Sequence, residues 1–212
     1  MIDRNEMKKT ILEHAKKKFF KHGFKKVTMD EIAADLQISK KTIYENFQTK
    51  QILVESVIES QLLGVMETYK VILDAPLDFI EKLYKLWILI GRNYVVIGKT
   101  YRKDLRPYHQ ELWKQLDEAR ETVFHNFISF LDEGKFLRLI RSDIHKDIIL
   151  PSYLGALENV MHESKLSRSA YTADDAFYTI STVMFEGVLS ESGQKQFIPR
   201  KTKSMNSIIK SL

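Results

Sequence analysis

The sequence predicts an all-α fold in which a small basic head is followed by a larger helical body. Three observations carry that reading. Apolar residues recur at three- and four-residue intervals almost throughout the 212-residue chain, as in helices with one buried face. Glycine and proline are scarce, eight and four in all, which leaves too few turn residues for an all-β fold. The net charge of +5 is unevenly placed: residues 1–50 hold 12 Lys/Arg against 7 Asp/Glu, whereas residues 51–212 hold 21 of each. The whole excess therefore sits in the first quarter, which suggests a polyanion-facing head on a neutral body, with nucleic acid and an anionic membrane surface both open at this stage. No cysteine is present, so disulfides, a thiol nucleophile and thiolate zinc sites are excluded. The first twenty residues contain no uninterrupted apolar run and no small-residue cleavage site, and they read as mature protein rather than as a signal peptide.

Along the chain, Met7, Ile11, Leu12, Ala15, Phe19 and Phe20 form one helical face, lysines fill the other, and Gly23 is the expected stop. Thr28-Met29-Asp30-Glu31 has the form of a capping box, in which the Thr28 hydroxyl and the Glu31 carboxylate satisfy free amides at a helix start. A short helix follows, with Ile32, Ala33 and Leu36 inward. Gln37-Ile38-Ser39 breaks the pattern, and Ser39 is the expected N-cap of a second short helix from Lys40 to about Phe47, whose Ile43 and Phe47 form the buried edge. A longer periodic run begins at Thr49 and ends before Pro76, long enough to bridge head and body. Residues 77–98 are apolar nearly all round, as in a helix inside a bundle, and Arg92 and Asn93 interrupt the run, leaving it too short for a bilayer span. Pro107 is expected to break the chain before an amphipathic helix carrying Leu112, Leu116, Ala119, Val123, Phe127 and Leu131, with its stop at Gly134. Two further helices are expected over roughly 144–163 and 173–190, the first kinked at Pro151 unless it starts later. The polar, basic tail from Gly193 is expected to be less ordered.

Two short helices joined by a three-residue turn, the second opening Ser-Lys-Lys-Thr, describe a helix-turn-helix over residues 28–47, whose second helix would lie in a DNA major groove. The residue types suit that task. Lys40, Lys41 and Lys50 can neutralise phosphates, and Thr28 can offer its hydroxyl and neighbouring amides to a phosphate. Thr42, Tyr44 and Asn46 can reach base edges or backbone oxygens, Ser39 caps the helix, and Glu45 can accept from a cytosine amino group or repel phosphate.

The stretch AKKKFFKHGFKKVTMDEIAADLQISKKTIYENFQTKQIL resembles the DNA-binding domain of the TetR family of bacterial transcriptional regulators, a resemblance that spans residues 5–65. Family features present here are Phe19, Gly23 and Phe24; Thr28, Ile32 and Ala33; Ile38, Ser39, Lys40, Ile43, Tyr44 and Phe47; and Lys50. Lys41 stands where the family most often has a small residue, and Glu45-Asn46 where relatives often have Tyr or His, so no relative's operator transfers to this chain. Near the C-terminus, Phe185-Glu186-Gly187-Val188-Leu189 followed by Gly193 and Phe197 is similar to the ending of the last helix in many members.

The resemblance implies a DNA-binding domain over 1–48, with the start of the helix from 49 to about 65, and a helical ligand-binding and dimerisation domain over 66–212. It implies a cytoplasmic one-component regulator, a repressor in the first instance, that binds double-stranded operator DNA as a homodimer and is released by a small-molecule effector. Dimer contacts would come from Leu154, Leu157, Met161, Ile180, Met184 and Gly187. A pocket in the body would be lined by Trp87, Asn93, Trp113, His125, Tyr153 and Glu158, although each body aromatic is by default a core residue. No cofactor, metal or membrane partner is implied. An enzyme is not expected: the six histidines form no HExxH pattern, and neither a Gly-rich phosphate loop nor a GxSxG elbow is present. The alternative is a peripheral membrane or scaffold protein that lays its basic first helix on anionic lipid. That role needs exposed bulky apolar residues beside the lysines, whereas Phe19 and Phe20 are better used in packing the short helices.

Overall fold

The computed structural model describes residues 4–104, 110–161 and 163–197. Among them are ten helices: α1 (Arg4–His22), α2 (Met29–Asp35), α3 (Lys40–Asn46), α4 (Lys50–Asp74), α5 (Phe79–Asp104), α6 (Gln110–Phe136), α7 (Lys146–Val160), α8 (Glu163–Leu166), α9 (Ala173–Val188) and α10 (Glu191–Phe197). The described residues hold no strand, only one isolated bridge between Ile140 and Leu189. The chain divides into two compact units, Met1–Met66 with Val96–Asp117 and Glu67–Val95 with Glu118–Leu212. The first unit therefore takes in part of α5 and α6 as well as the N-terminal helices. Pro107 lies outside the described residues.

In the first unit, the apolar face of α1 contributes Ile11, Ala15 and Phe19, all fully buried. Against them pack Phe24 and Val27 from the following turn, Met29, Ile32 and Ala33 from α2, Ile43 and Phe47 from α3, Leu53, Val54, Val57 and Ile58 from α4, and Leu116 from α6. Gly23 ends α1 at φ 92°, a left-handed conformation that glycine adopts without a Cβ clash. The end of α2 is different. There Gln37 takes φ 54°, and the amides of Gln37 and Ile38 donate to the carbonyls of Ala34 and Ala33 at 3.1 and 3.0 Å. This is the paired closure of a Schellman motif, built without its usual glycine.

In the second unit, α5 is buried on most of its circumference from Ile80 to Ile90, as its nearly unbroken apolar run predicts. Trp87 stacks on Tyr153 of α7 at 4.4 Å between ring centroids, with Phe127 of α6 and Phe185 of α9 at 6.0 and 5.8 Å. The Tyr153 hydroxyl and Ser181 Oγ share a buried hydrogen bond of 2.7 Å, joining α7 to α9.

Two expectations are corrected here, those for Gly134 and for the start of the tail, while Pro151 does fall within its helix. Gly134 does not stop α6, which runs on to Phe136. The chain leaves the helix at Arg138, φ 58°, with the Arg138 and Leu139 amides closing on the Lys135 and Gly134 carbonyls at 3.0 and 2.9 Å. Gly134 is small for a packing reason, because a Cβ there would run into the Phe79 ring and the Ile140 side chain. Pro151 lies inside α7, which begins at Lys146, so the Asp147 carbonyl forgoes its usual helical donor. Of the tail expected to loosen from Gly193, the part through Phe197 folds as α10, anchored by Phe197, which is 3% exposed and packs on Tyr84 and Phe185 at 5.3 and 4.8 Å; the rest lies outside the described residues.

The segments after α6 and after α9 clasp one another. The Arg141 amide donates to the Val188 carbonyl at 3.1 Å, the Ser190 amide to Leu139 at 2.9 Å, and the Ser190 hydroxyl to Arg138 at 2.7 Å. Gly193 sits directly on this clasp, where a Cβ would collide with the Leu139 carbonyl oxygen. Backbone on both sides leaves little room to yield, so Gly193→Ala is expected to cost about 1–3 kcal/mol. Arg138→Gly, which relieves a left-handed side chain, is expected to gain about 1 kcal/mol. Urea denaturation of the two variants would show opposite shifts of midpoint.

Candidate nucleic-acid interface

Helices α2 and α3 have only seven residues each, too few to persist without capping and tertiary contacts. Thr28 caps α2 through a full box: its Oγ1 accepts from the Glu31 amide at 3.2 Å, and the Glu31 carboxylate accepts from the Thr28 amide at 2.8 Å. That backbone bond to Thr28 is the main reason the Glu31 carboxyl is held below its ordinary pKa. Ser39 caps α3, its Oγ accepting from the Thr42 amide at 3.0 Å and sharing a 2.8 Å bond with the Thr42 hydroxyl. Ile43 and Phe47, 0% and 1% exposed, then fix the roll of α3 on the head core.

This roll decides which side chains α3 presents. Lys40, Lys41, Tyr44 and Glu45 are exposed, while Thr42 and Asn46 are half-buried. Asn46 turns its amide back to donate to the Thr42 carbonyl at 2.8 Å. Lys40 Nζ is held by Asp30 of α2 at 2.5 Å, a hydrogen bond and ion pair that raises the lysine pKa. Lys41 faces Glu45 one turn on, at 3.8 Å. Lys50, at the first turn of α4, donates to the Lys25 carbonyl at 3.2 Å. The hydroxyl and amide of Thr28 are both engaged with Glu31. Gln37 and Asp30 were read from sequence only as part of the turn and of the capping-box stretch, without the left-handed backbone of the one or the Lys40 pair of the other. A left-handed glutamine carries no compositional signal, and Asp30 is recognisable only once α2 and α3 are in place.

The geometry is that of a helix-turn-helix with a capped and exposed second helix. Residues 11–57 match the model of the family described as bacterial regulatory proteins, tetR family. The head is thus similar to the DNA-binding domain of that family. Among relatives, the uncharacterized HTH-type transcriptional regulator YvaF of Bacillus subtilis (strain 168) is 25% identical over 186 residues, covering 87% of this chain and 97% of the relative. Among solved structures, a transcriptional regulator from Saccharomonospora viridis in complex with choline aligns with TM-score 0.71 and 16% identity, over 88% of this chain and 100% of that one. The ketosteroid transcriptional regulator KstR2 of Mycobacterium tuberculosis aligns with TM-score 0.65 and 19% identity, over 87% and 95%. The likeness to these all-helical structures thus extends well beyond the matched head.

In the body, the expected pocket residues are dispersed in character. Trp87 and Tyr153 are fully buried and in contact. The Asn93 amide donates to the Leu89 carbonyl of its own helix at 2.8 Å. His125 is exposed with Nδ1 at 2.8 Å from the Glu121 carbonyl, and Glu158 is exposed and accepts from the Tyr94 hydroxyl at 2.9 Å. The Trp113 side chain lies outside the described residues. Burial pushes the Tyr84 phenol up to about 12 and the Tyr153 phenol well above its ordinary range, so both stay neutral.

The box at Thr28 gives a direct test. Thr28→Ala is expected to cost the head about 1 kcal/mol. Because the Glu31 pKa is lowered on folding, its stabilising contribution is present at neutral pH and is lost as pH falls through that lowered value. Thermal melts across the acid range would therefore show a shallower acid limb for Glu31→Gln than for the parent chain.

Proposed function

We propose that the chain is a one-component transcriptional repressor that binds operator DNA as a homodimer and leaves it when a small molecule binds the body. The observation that carries the DNA half is α3 itself: capped by Ser39, anchored by Ile43 and Phe47, with Lys40, Lys41, Tyr44 and Glu45 exposed on its outer side. Thr42 and Asn46 would reach bases after Asn46 releases its intrahelical bond. Thr28, Ser39 and Lys50 would hold the frame and the backbone. A dimer would set two such helices in successive major grooves, about 34–36 Å apart.

The dimer half is supported by the outer side of α7 and α9, two helices that pack on each other. Ile148 and Val183 are 60% and 65% exposed, Tyr178 is exposed, and Gly155 and Gly187 have open space where a Cβ would stand. Leu154, Met161, Ile180 and Met184 are half-buried and keep surface for a mate. Leu157 is fully buried within its own chain and is withdrawn as a contact. Small and apolar groups on adjacent helices suit close helix packing between two copies.

For the effector half, the support is the aromatic cluster around Trp87. The Saccharomonospora viridis neighbour holds choline, a cation. Here the Arg92 guanidinium already stands 5.7 Å from the Phe177 ring centroid, which favours a neutral or anionic effector over a cationic one. α4 runs unbroken from Lys50 to Asp74, with residues through Met66 in the first unit and those from Glu67 in the second, and so offers the route by which an effector alters the heads. The lipid alternative loses its basis, because Phe19 is fully buried and Phe20 packs against the head core, which leaves α1 without the apolar wedge that interfacial binding needs. Among the described residues no helix is long and apolar enough to cross a membrane.

Two measurements test this reading. Selection from a randomised duplex library with the purified chain is expected to enrich a two-half-site sequence; recovery of no preferred sequence would sink the reader. Light scattering of Val183→Glu is expected to give a monomer where the parent gives a dimer, and an unchanged mass would remove α9 from the interface.

A further inference from the structure

The outward side of α3 carries a charge that duplex DNA repels. Glu45 lies there exposed, and a carboxylate brought among phosphates weakens binding to every sequence. That cost is offset only where a base presents the carboxylate with a hydrogen-bond donor. Lys41 stands one turn earlier on the same side, its Nζ 3.8 Å from Glu45 Oε1, and the two side chains are 83% and 58% exposed. The remaining polar side chains of the helix start from engaged positions. Lys40 Nζ is 2.5 Å from Asp30 Oδ2, the Thr42 hydroxyl shares a bond with Ser39 Oγ, and the Asn46 amide nitrogen donates to the Thr42 carbonyl. Asn46 Oδ1 is itself buried, and Ile43 and Phe47 belong to the core. Lys41 and Glu45 are thus the charged pair that the roll of α3 turns outward together.

We infer that Lys41 and Glu45 act as one unit that selects a G·C base pair in each half-site, Lys41 on the guanine and Glu45 on the cytosine. The inference rests on the DNA-binding reading above and adds the identity of a base pair that α3 selects. In the major groove guanine presents two acceptors, N7 and O6, and cytosine presents its N4 amino donor. O6 and N4 are joined by a base-pair hydrogen bond, so they lie about 2.9 Å apart. An ammonium and a carboxylate oxygen 3.8 Å apart can meet such an acceptor and donor side by side. The two need not separate to do so: the ammonium has three protons and the carboxylate a second oxygen, which leaves each with capacity for a base. A·T suits the unit less well in either direction. With Lys41 on adenine, the cation meets one acceptor and one donor, and Glu45 faces thymine O4, an acceptor against an anion. Turned round, Glu45 takes adenine N6, but Lys41 keeps O4 alone, beside the thymine methyl. Glu45 therefore lowers affinity in general and loses least at one pair, which is what a specificity-determining residue does.

The test repeats the randomised-library selection with full-chain variants whose folding is checked by thermal melts. The parent is expected to enrich a G·C pair at one fixed position of each half-site. The exchange of Lys41→Glu with Glu45→Lys keeps the net charge and the one-turn ion pair, and it is expected to enrich C·G at that position. A pair that only stabilises the helix surface would leave the selected sequence as it was. A second measurement stands apart from the exchange variant. Replacing the selected guanine by 7-deazaguanine, which lacks the N7 acceptor, is expected to weaken the parent about five-fold or more in fluorescence anisotropy and to leave Lys41→Ala unaffected. An exchange variant that keeps the parent sequence overturns the inference, as does a position sensitive to both residues that proves to be A·T. So does an equal loss on 7-deazaguanine for the parent and Lys41→Ala, and that comparison decides if the exchange variant enriches nothing. In each of these outcomes the parent still has a preferred sequence, so the DNA-binding reading stands; a parent that enriches no sequence sinks that reading and this inference with it.

Discussion

The turn between α2 and α3 is closed from both sides, and the reading surface depends on that closure. On the α2 side the Gln37 and Ile38 amides return to Ala34 and Ala33; on the α3 side Ser39 takes the Thr42 amide. A seven-residue helix does not persist alone in water. α3 exists because its first orphan amides find Ser39 and because Ile43 and Phe47 are buried in the head core. Fixing those two residues fixes the roll of the helix, and the roll sends Lys40, Lys41, Tyr44 and Glu45 outward. Gln37 bears the cost of this arrangement by holding a left-handed backbone that glycine would adopt more easily.

A comparable closure organises the second unit. The segments after α6 and α9 are tied by Arg141, Ser190 and Leu139, and Gly193 allows the backbones to meet. This joins chain positions some fifty residues apart. It also places Phe197 against Tyr84 and Phe185, beside the Trp87–Tyr153 stack. Helix α10 is therefore part of the aromatic core rather than an appendage to it. The Tyr153–Ser181 bond satisfies two hydroxyls that would otherwise be costly inside such a core.

Much of the head was legible in the sequence because its signals are local. A capping box needs Thr28 and Glu31 three residues apart, an N-cap needs Ser39 beside the Thr42 amide, and a buried face needs Ile11, Ala15 and Phe19 in helical register. None of these requires a distant part of the chain. Readings that failed were those in which one residue type serves two purposes. Gly134 looked like a helix stop and is a contact point for Phe79 and Ile140; Arg138, with no feature of a stop, takes the left-handed position. Leu157 looked like a mate's contact and is filled by its own chain. The polar stretch at Gly193 looked loose because Phe197, its anchor, finds its partners some twelve and more than a hundred residues away.

By itself the sequence determined helix type and register, the two caps of the helix-turn-helix, the basic head and the family that the head resembles. Each is set by neighbours within one or two turns, through hydrogen bonds to free amides and through the spacing of apolar side chains. Only the tertiary structure decided which charges of the head already have partners, since Asp30 reaches Lys40 and Asp35 reaches Lys18 from other helices. Only it separated core aromatics from surface polar groups in the body. Ion pairing and burial both fall off within a few ångströms, so they depend on where packing brings chain-distant groups together, and no local pattern encodes that distance.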